Sequence, residues 1–139
     1  MALDLFSQRL STESFFEEMR FACDELSRWP DHDFMVRLGF GCRNRETLRV
    51  RPAELPKAVA ERILDHSFVP GSADLFVEST DGTVRLELSF AADIHLSTED
   101  PSLASAFRAR WHRLGYRFHE IAAVRFEGRG GPEAGGQCA

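Results

Sequence analysis

The hydrophobic pattern of the chain predicts strands first. Between residues 34 and 40, apolar side chains recur at every second position, so that one face of this segment carries Phe34, Val36, Leu38 and Phe40. A second alternating segment, at 47–51, follows after a short loop. Because a strand with one buried face has a period of two, we expect the two segments to pair as an antiparallel hairpin.

The register of this hairpin has a consequence for its charged face. Pairing Phe40 with Glu46 would bury the apolar side chains of both strands. The same register would set Arg37 directly against Arg49, with Arg51 nearby, and like charges in opposed positions destabilise a sheet. We therefore expect these arginines to be compensated by acids of a neighbouring strand or by an acidic ligand.

A second hairpin is predicted around the Asp-Gly dipeptide at 81–82, since a two-residue turn of this composition fits type I′ geometry. The resulting register pairs Val77 with Leu86 on one face and Glu78 with Arg85 on the other. One face is then apolar and the other charge-complementary. A slip by one residue would destroy both patterns.

Three segments show the periodicity of amphipathic helices. They cover residues 14–28, 52–66 and 101–114. The third is the most sharply bounded, because Asp100 suits the N-cap, Pro101 the first turn and Gly115 the left-handed position after the last turn. Residues 3–10 are expected to add a short helical turn, and 118–127 a last strand.

The resulting order, α-ββ-α-ββ-α-β, predicts a single α+β domain over residues 1–127. Hairpins dominate, so we expect a mostly antiparallel sheet of about five strands, with the helices packed mainly on one face. A chain of 139 residues has room for one core rather than two. Residues 128–139 are rich in glycine and are expected to form a disordered tail.

Composition indicates an acidic protein of a reducing compartment. The formal net charge is -5, which argues against strong non-specific binding to nucleic acid. The start of the chain lacks the basic segment of a secretory signal, and no apolar stretch approaches the ~20 residues that span a bilayer. Three widely spaced cysteines without a CxxC pair favour a cytoplasmic location. Lys57 is the only lysine against sixteen arginines, which suggests a bacterial source.

The sequence lacks the motifs of common enzymes. It has no GxSxG elbow, no Walker loop and no GxGxxG, and Cys42 beside Arg43 is an isolated loop cysteine. Asp93 and His95 would share a face of an extended segment, but a metal site needs three or four ligands. We therefore expect no catalytic residue, no metal and no cofactor, and an enzymatic role is not favoured.

Arginine and aromatic residues concentrate near the end of the chain, where 101–119 contains no acid. On a helical wheel, Arg110 falls within the apolar arc, so it must snorkel, pair with a buried carboxylate or face a partner. These residue types are enriched in interface hot spots. With the arginines of the first hairpin, the candidate partner-binding residues are Arg108, Arg110, Trp111, Arg113, Tyr116, Arg117, Arg37, Arg49 and Arg51.

These observations predict a small cytoplasmic protein-binding module without enzymatic activity, such as an inhibitor, an immunity-type protein or a chaperone-like adaptor. The expected partner is a protein, with an acidic protein and a second copy of the chain as two options. One alternative is a nucleic-acid-binding protein that uses 108–117. Another is a small enzyme or ligand-binding protein with a pocket between sheet and helices, which would use Asp93 and His95.

Overall fold

The computed structural model describes residues 2–29, 32–40, 43–69 and 72–123. Within these ranges, three helices and a seven-stranded antiparallel sheet confirm the α+β class, with seven strands instead of five. The elements are β1 (Ala2–Ser7), α1 (Thr12–Leu26), β2 (Phe34–Phe40), β3 (Arg43–Val50), α2 (Leu55–Leu64), β4 (Asp74–Ser79), β5 (Val84–Leu88), β6 (Ile94–Thr98), α3 (Pro101–Leu114) and β7 (Phe118–Ala123). The predicted tail at 128–139 lies outside the described residues.

The strands lie in the order β3-β2-β4-β5-β6-β1-β7, with β5 at the centre. Successive side chains of a strand point to opposite faces, so the pairing registers divide the sheet into two surfaces. On one surface the central side chains are no more than 2% exposed: Leu5, Phe34, Val36, Leu38, Leu75, Val77, Val84, Leu86, Leu88, Ile94 and Leu96. The three helices bury their apolar residues in the same cluster, so they all cover this face.

The opposite surface, which we call the uncovered face, carries none of the three described helices, and its side chains are mostly half-buried. By register it consists of Asp4, Phe6, Met35, Arg37, Thr47, Arg49, Asp74, Phe76, Glu78, Arg85, Glu87, His95, Ser97, His119 and Ile121. The sequence-based expectation that helices pack on one face is therefore confirmed.

Two strands were not expected from the sequence. Residues 3–10 were predicted to form a helical turn, but Ala2–Ser7 is strand β1, hydrogen-bonded between β6 and β7. The segment is too short for its own periodicity to separate strand from helix. Strands β6 and β7 would have unpaired backbone N–H and C=O groups without a strand between them, and buried backbone groups must be paired. These residues therefore form a strand. The five residues Ile94–Thr98 form β6 for the same reason.

The two hairpins differ in how closely they follow the predicted register. In the β4–β5 hairpin, Val77 lies opposite Leu86 and Glu78 opposite Arg85, as predicted. The type I′ turn is wrong, because Gly82 has a positive φ of +76° while Asp81 does not. The N–H of Gly82 instead donates to the carbonyl of Ser79, which makes Thr80 and Asp81 the central residues of the turn.

The β2–β3 hairpin is shifted by two residues from the predicted register. Arg37 lies opposite Thr47, and Arg49 lies opposite Met35, so the predicted opposition of Arg37 and Arg49 is wrong. A bulge between Leu38 and Gly39 changes the register by one more residue towards the turn. Because the shift before the bulge is an even number, the side chains of residues 34–38 and 47–50 stay on their predicted faces.

The helix ends follow capping chemistry. In α3 the side chain of Asp100 accepts a hydrogen bond from the N–H of Ser102, and Gly115 has a φ of 78°, both as predicted. In α1 the predicted cap is displaced, because Ser11 accepts from the N–H of Ser14 and the helix begins at Thr12. Helix α2 is shorter than predicted and follows a 3-10 turn at Pro52–Glu54.

A buried polar network fixes α1 against α3. Glu18 of α1 is 1% exposed, and its carboxylate accepts hydrogen bonds from Arg110 Nε at 2.9 and 3.0 Å and from Trp111 Nε1 at 2.9 Å. The Arg110 guanidinium also lies 4.5 Å from the centre of the Phe21 ring, which packs edge-on against Phe107. Of the three options for Arg110, pairing with a buried carboxylate is therefore confirmed. The hydrogen bond to Glu18 raises the pKa of Arg110 above its ordinary value.

Loss of Arg110 is expected to destabilise the fold strongly. Arg110→Ala leaves the Glu18 carboxylate buried without its cation, which typically costs about 3–5 kcal/mol. Arg113→Ala, on the exposed side of the same helix, is expected to change the unfolding free energy by less than about 0.5 kcal/mol. Urea unfolding of both variants measures the difference, and equal losses would contradict the assigned role.

Cys23 is expected to resist alkylation in the folded protein. It is 3% exposed, and burial together with the neighbouring Asp24 carboxylate raises the pKa of its thiol to about 12. Because the thiolate is the nucleophile, iodoacetamide should leave Cys23 unmodified until urea unfolds the chain. Peptide-resolved mass spectrometry checks this, and rapid labelling of native Cys23 would show that α1 opens readily.

Candidate functional site

The uncovered face is organised in two rows that cross all seven strands. The first, which we call the Phe76 row, runs Thr47, Arg37, Phe76, Glu87, His95, Phe6 and His119 from β3 to β7. The second, the Met35 row, runs Arg49, Met35, Glu78, Arg85, Ser97, Asp4 and Ile121. A few apolar side chains are thus interspersed among charged and polar ones on both rows.

On the β2–β4 side of this face, the arginines are paired with acids on or next to the strands. Glu78 lies 3.8 Å from Arg37 and 3.5 Å from Arg85, and so shares its carboxylate between two cations. The Arg37 guanidinium also lies 5.6 Å from the centre of the Phe76 ring. Arg49 pairs with Asp33 at 3.0 Å. Compensation of Arg37 by the neighbouring hairpin, one of the two predicted options, is therefore confirmed.

The β5–β1 side of the face centres on His95. Its Nε2 lies 3.1 Å from Asp4 Oδ1, and its Nδ1 lies 4.0 Å from Glu87 Oε1. The ring stacks on Phe6 with a centroid distance of 4.0 Å and an interplanar angle of 18°. Three strands, β1, β5 and β6, thus each contribute at least one side chain to this cluster.

Glu87 occupies the middle of the central strand in an acidic, partly desolvated environment. Burial raises the pKa of Glu87 above its ordinary value, the nearby His95 and Arg85 lower it, and the carboxylates of Asp74 and Asp93 raise it further. Asp74 is itself 7% exposed, and it accepts a hydrogen bond from the N–H of Phe90 at 2.8 Å. Burial is the largest of these causes, so Glu87 lies where its charged form is disfavoured.

The residues predicted from the sequence to bind a partner fall into separate groups. Arg37 and Arg49 lie on the uncovered face, and Arg51 follows β3 and pairs with Glu54 at 3.3 Å. The remaining predicted residues lie in α3 or directly after it, on the opposite, helix-covered side of the sheet. We call them the α3 set: Arg108, Arg110, Trp111, Arg113, Tyr116 and Arg117. The predicted residues therefore form no continuous surface.

Most of the α3 set is engaged within the domain. Trp111 is fully buried, Arg110 is held by Glu18, and Arg108 Nε lies 2.6 Å from Glu120. Tyr116 is half-buried against the core, which leaves Arg113 and Arg117 as exposed side chains. Their proposed role in partner binding stays a prediction.

The residues that sequence reasoning missed are those that β1 and β6 bring to the uncovered face. Asp4 and Phe6 could not be placed there while their segment was expected to be helical. His95 was considered together with Asp93, as a metal-binding pair or as part of a pocket between sheet and helices. Within the described ranges, no three His, Cys, Asp or Glu side chains are grouped so as to hold a metal ion. The predicted β4–β5 register also pairs Phe76 with Glu87, as observed. This pairing was the one feature of the sequence that pointed to the site.

The region between sheet and helices is filled by a cluster of buried side chains that includes Phe15, Phe34 and Trp111. His95 lies on the other side of the sheet. Among surface concavities of the described residues, one of about 470 Å³ runs along α1 and is lined in part by Glu17, Phe21 and Asp24. These features give no support to a pocket between sheet and helices.

No protein-family model, curated protein or solved structure matches the chain. Within the part of the chain that the structure describes, none of the helices combines the length and hydropathy that crossing a bilayer requires. The function therefore has to be inferred from the surface itself.

Removing the charge of Glu87 is expected to stabilise the domain near neutral pH. A folded-state pKa above the unfolded value favours the protonated carboxyl, so stability is lost as pH rises through the folded pKa. The thermal midpoint of Glu87→Gln should exceed that of wild type at about pH 7, and the gap should close towards about pH 4.

Glu78→Gln is the matched control, because this change removes a carboxylate that two arginines share. It should lower the midpoint at neutral pH or leave it unchanged. A neutral-pH destabilisation by Glu87→Gln would show instead that the Glu87 carboxylate is well compensated in the folded protein.

Proposed function

We propose that the chain is a non-enzymatic protein-binding module and that its partner docks on the uncovered face. The supporting observation is that half-exposed or exposed apolar side chains, Phe6, Met35, Phe76 and Ile121, lie on a sheet face without a helix. An antiparallel sheet can face water on one side, but that side is then typically polar. Aromatic residues, Met and Arg are the types enriched in protein interfaces.

The charged residues of the face also suit burial by a partner. Arg37 and Arg85 already share Glu78, and Asp4 already contacts His95. A partner that covers the face therefore need not leave these groups without an opposite charge, which reduces the desolvation cost of binding. Most of the specificity would then come from the apolar side chains and from Glu87.

The cellular setting follows from composition. An acidic chain whose described cysteine, Cys23, is free and buried suits a reducing cytoplasm. Within this proposal the module acts as an inhibitor, an immunity-type protein or a chaperone-like adaptor, in a bacterium if the arginine bias reflects its source. Nucleic-acid binding through 108–117 is less favoured, since Arg108 and Arg110 are already paired with Glu120 and Glu18.

Site-specific photo-crosslinking tests the docking surface. A benzophenone amino acid replaces Phe76 in one sample and Ser105, exposed on α3, in the other. In native lysate, position 76 should crosslink a defined protein, and excess unlabelled chain should compete. Position 105 should not crosslink it. A self-crosslink at 76 would identify a second copy as the partner.

Competition by variants makes the test specific to the face. Unlabelled Phe76→Ser should compete at least about tenfold less well than wild type, as expected when a central aromatic anchor is truncated. Unlabelled Ser105→Asp should compete as wild type does. Absence of any competed crosslink at 76, or equal crosslinking from 105, would overturn the proposal.

A further inference from the structure

We infer that the partner of the uncovered face is basic, and that it places a guanidinium or ammonium group at Glu87, between Phe76 and the stacked rings of Phe6 and His95. This inference rests on the proposed function and adds to it the chemistry of the partner. The two sides of the face differ in charge balance, and this difference carries the inference.

On the β2–β4 side of the face every one of the three arginines is paired with an acid. Arg37 and Arg85 both contact Glu78, and Arg49 is paired with Asp33. An acidic partner would have to compete with these carboxylates for cations that are already engaged. The excess of one positive charge on this side therefore does not take the form of an unpaired arginine that would select an acidic protein.

The β5–β1 side carries an excess of negative charge. The carboxylates of Asp4 and Glu87 lie beside His95, and those of Asp74 and Asp93 are close enough to act on Glu87. Arg85 is the nearest arginine, and it is shared with Glu78. The burial and the acidic neighbours of Glu87 raise its pKa, which is the response of a carboxylate that lacks a full counter-charge.

Glu87 is also open to a new cation. The 4.0 Å separation from His95 Nδ1 exceeds hydrogen-bond length, and His95 is already bound through Nε2 to Asp4. Within the described residues, the Glu87 carboxylate accepts no hydrogen bond from a side chain. Its neighbours along the Phe76 row are the Phe76 ring on β4 and the His95 ring on β6, so an incoming cation would meet aromatic groups on both sides.

Such a setting suits a guanidinium or ammonium group. Aromatic faces attract cations, and a carboxylate in a partly desolvated position forms strong charge-assisted hydrogen bonds. The chain itself gives an example, since the Arg37 guanidinium already lies over Phe76. The overall charge of -5 would in addition speed the approach of a basic protein. The acidic-partner option from the sequence relied on α3 arginines that are largely engaged within the domain.

A defined pair of small probes tests the chemistry directly. N-acetyl-arginine amide and N-acetyl-citrulline amide have similar shapes, but only the first carries a charge. In amide NMR spectra of the full chain, the arginine probe should shift resonances of β1, β4, β5 and β6 around Glu87. The citrulline probe should shift them much less. Equal responses, or arginine shifts concentrated on α1, would overturn the inference.

Variants test whether Glu87 is the carboxylate that binds the arginine probe. Glu87→Gln should weaken arginine binding about two- to fivefold, the size expected of one partly exposed ion pair. Glu13→Gln, which removes an exposed acid in the first turn of α1, should leave it unchanged. Unchanged affinity in Glu87→Gln would overturn the inference, as would duplex DNA that shifts the same resonances more strongly than the arginine probe.

Experiments on the crosslinked partner distinguish a failure of this inference from a failure of the proposed function. If position 76 captures a protein whose affinity is unaffected by Glu87→Gln, the inference fails while the binding function stands. If the crosslink to the captured partner maps to a segment rich in arginine or lysine and Glu87→Gln weakens it, both are supported. If position 76 captures nothing, the function fails, and the inference with it.

Discussion

The structure depends on the burial of one face of an antiparallel sheet beneath three helices. Every second side chain of the central strands is apolar, and the helices supply Phe15, Phe107 and Trp111 to the same core. Hydrophobic burial of this kind is the main favourable contribution to folding. Because all three helices use the same side, the other side must be stable in water or against another protein. The composition of the uncovered face follows from that constraint.

Several arginines of the described residues form ion pairs within the domain. Arg110 joins α1 to α3 through Glu18, Arg108 joins α3 to β7 through Glu120, and Arg37 lies across β2 and β4. An arginine-rich sequence therefore need not present a basic surface. Near Glu87, in contrast, neighbouring strands bring several carboxylates together. Because these pairs engage arginines that had suggested an acidic partner, we infer a basic partner instead.

The sequence predicted those elements whose signals are local. Helix α3 was bounded correctly because Asp100 and Gly115 act within one turn, and the β4–β5 register followed from apolar and charged pairs close in the chain. Strand β1 was missed, since its conformation is decided by β6 and β7, which lie about 90 and 115 residues further along. The site was missed for the same reason: Asp4 meets His95 only through non-local pairing.

Oxidative footprinting of two methionines tests the central claim most directly. Met35 lies partly exposed on the uncovered face, whereas Met19 lies on the buried side of α1 and is 2% exposed. In the isolated chain, hydroxyl radicals should oxidise Met35 much faster than Met19, and in the complex with its crosslinked partner Met35 should become as protected as Met19. Strong protection of Met35 in the isolated chain, or full reactivity of Met35 in the complex, would contradict the account.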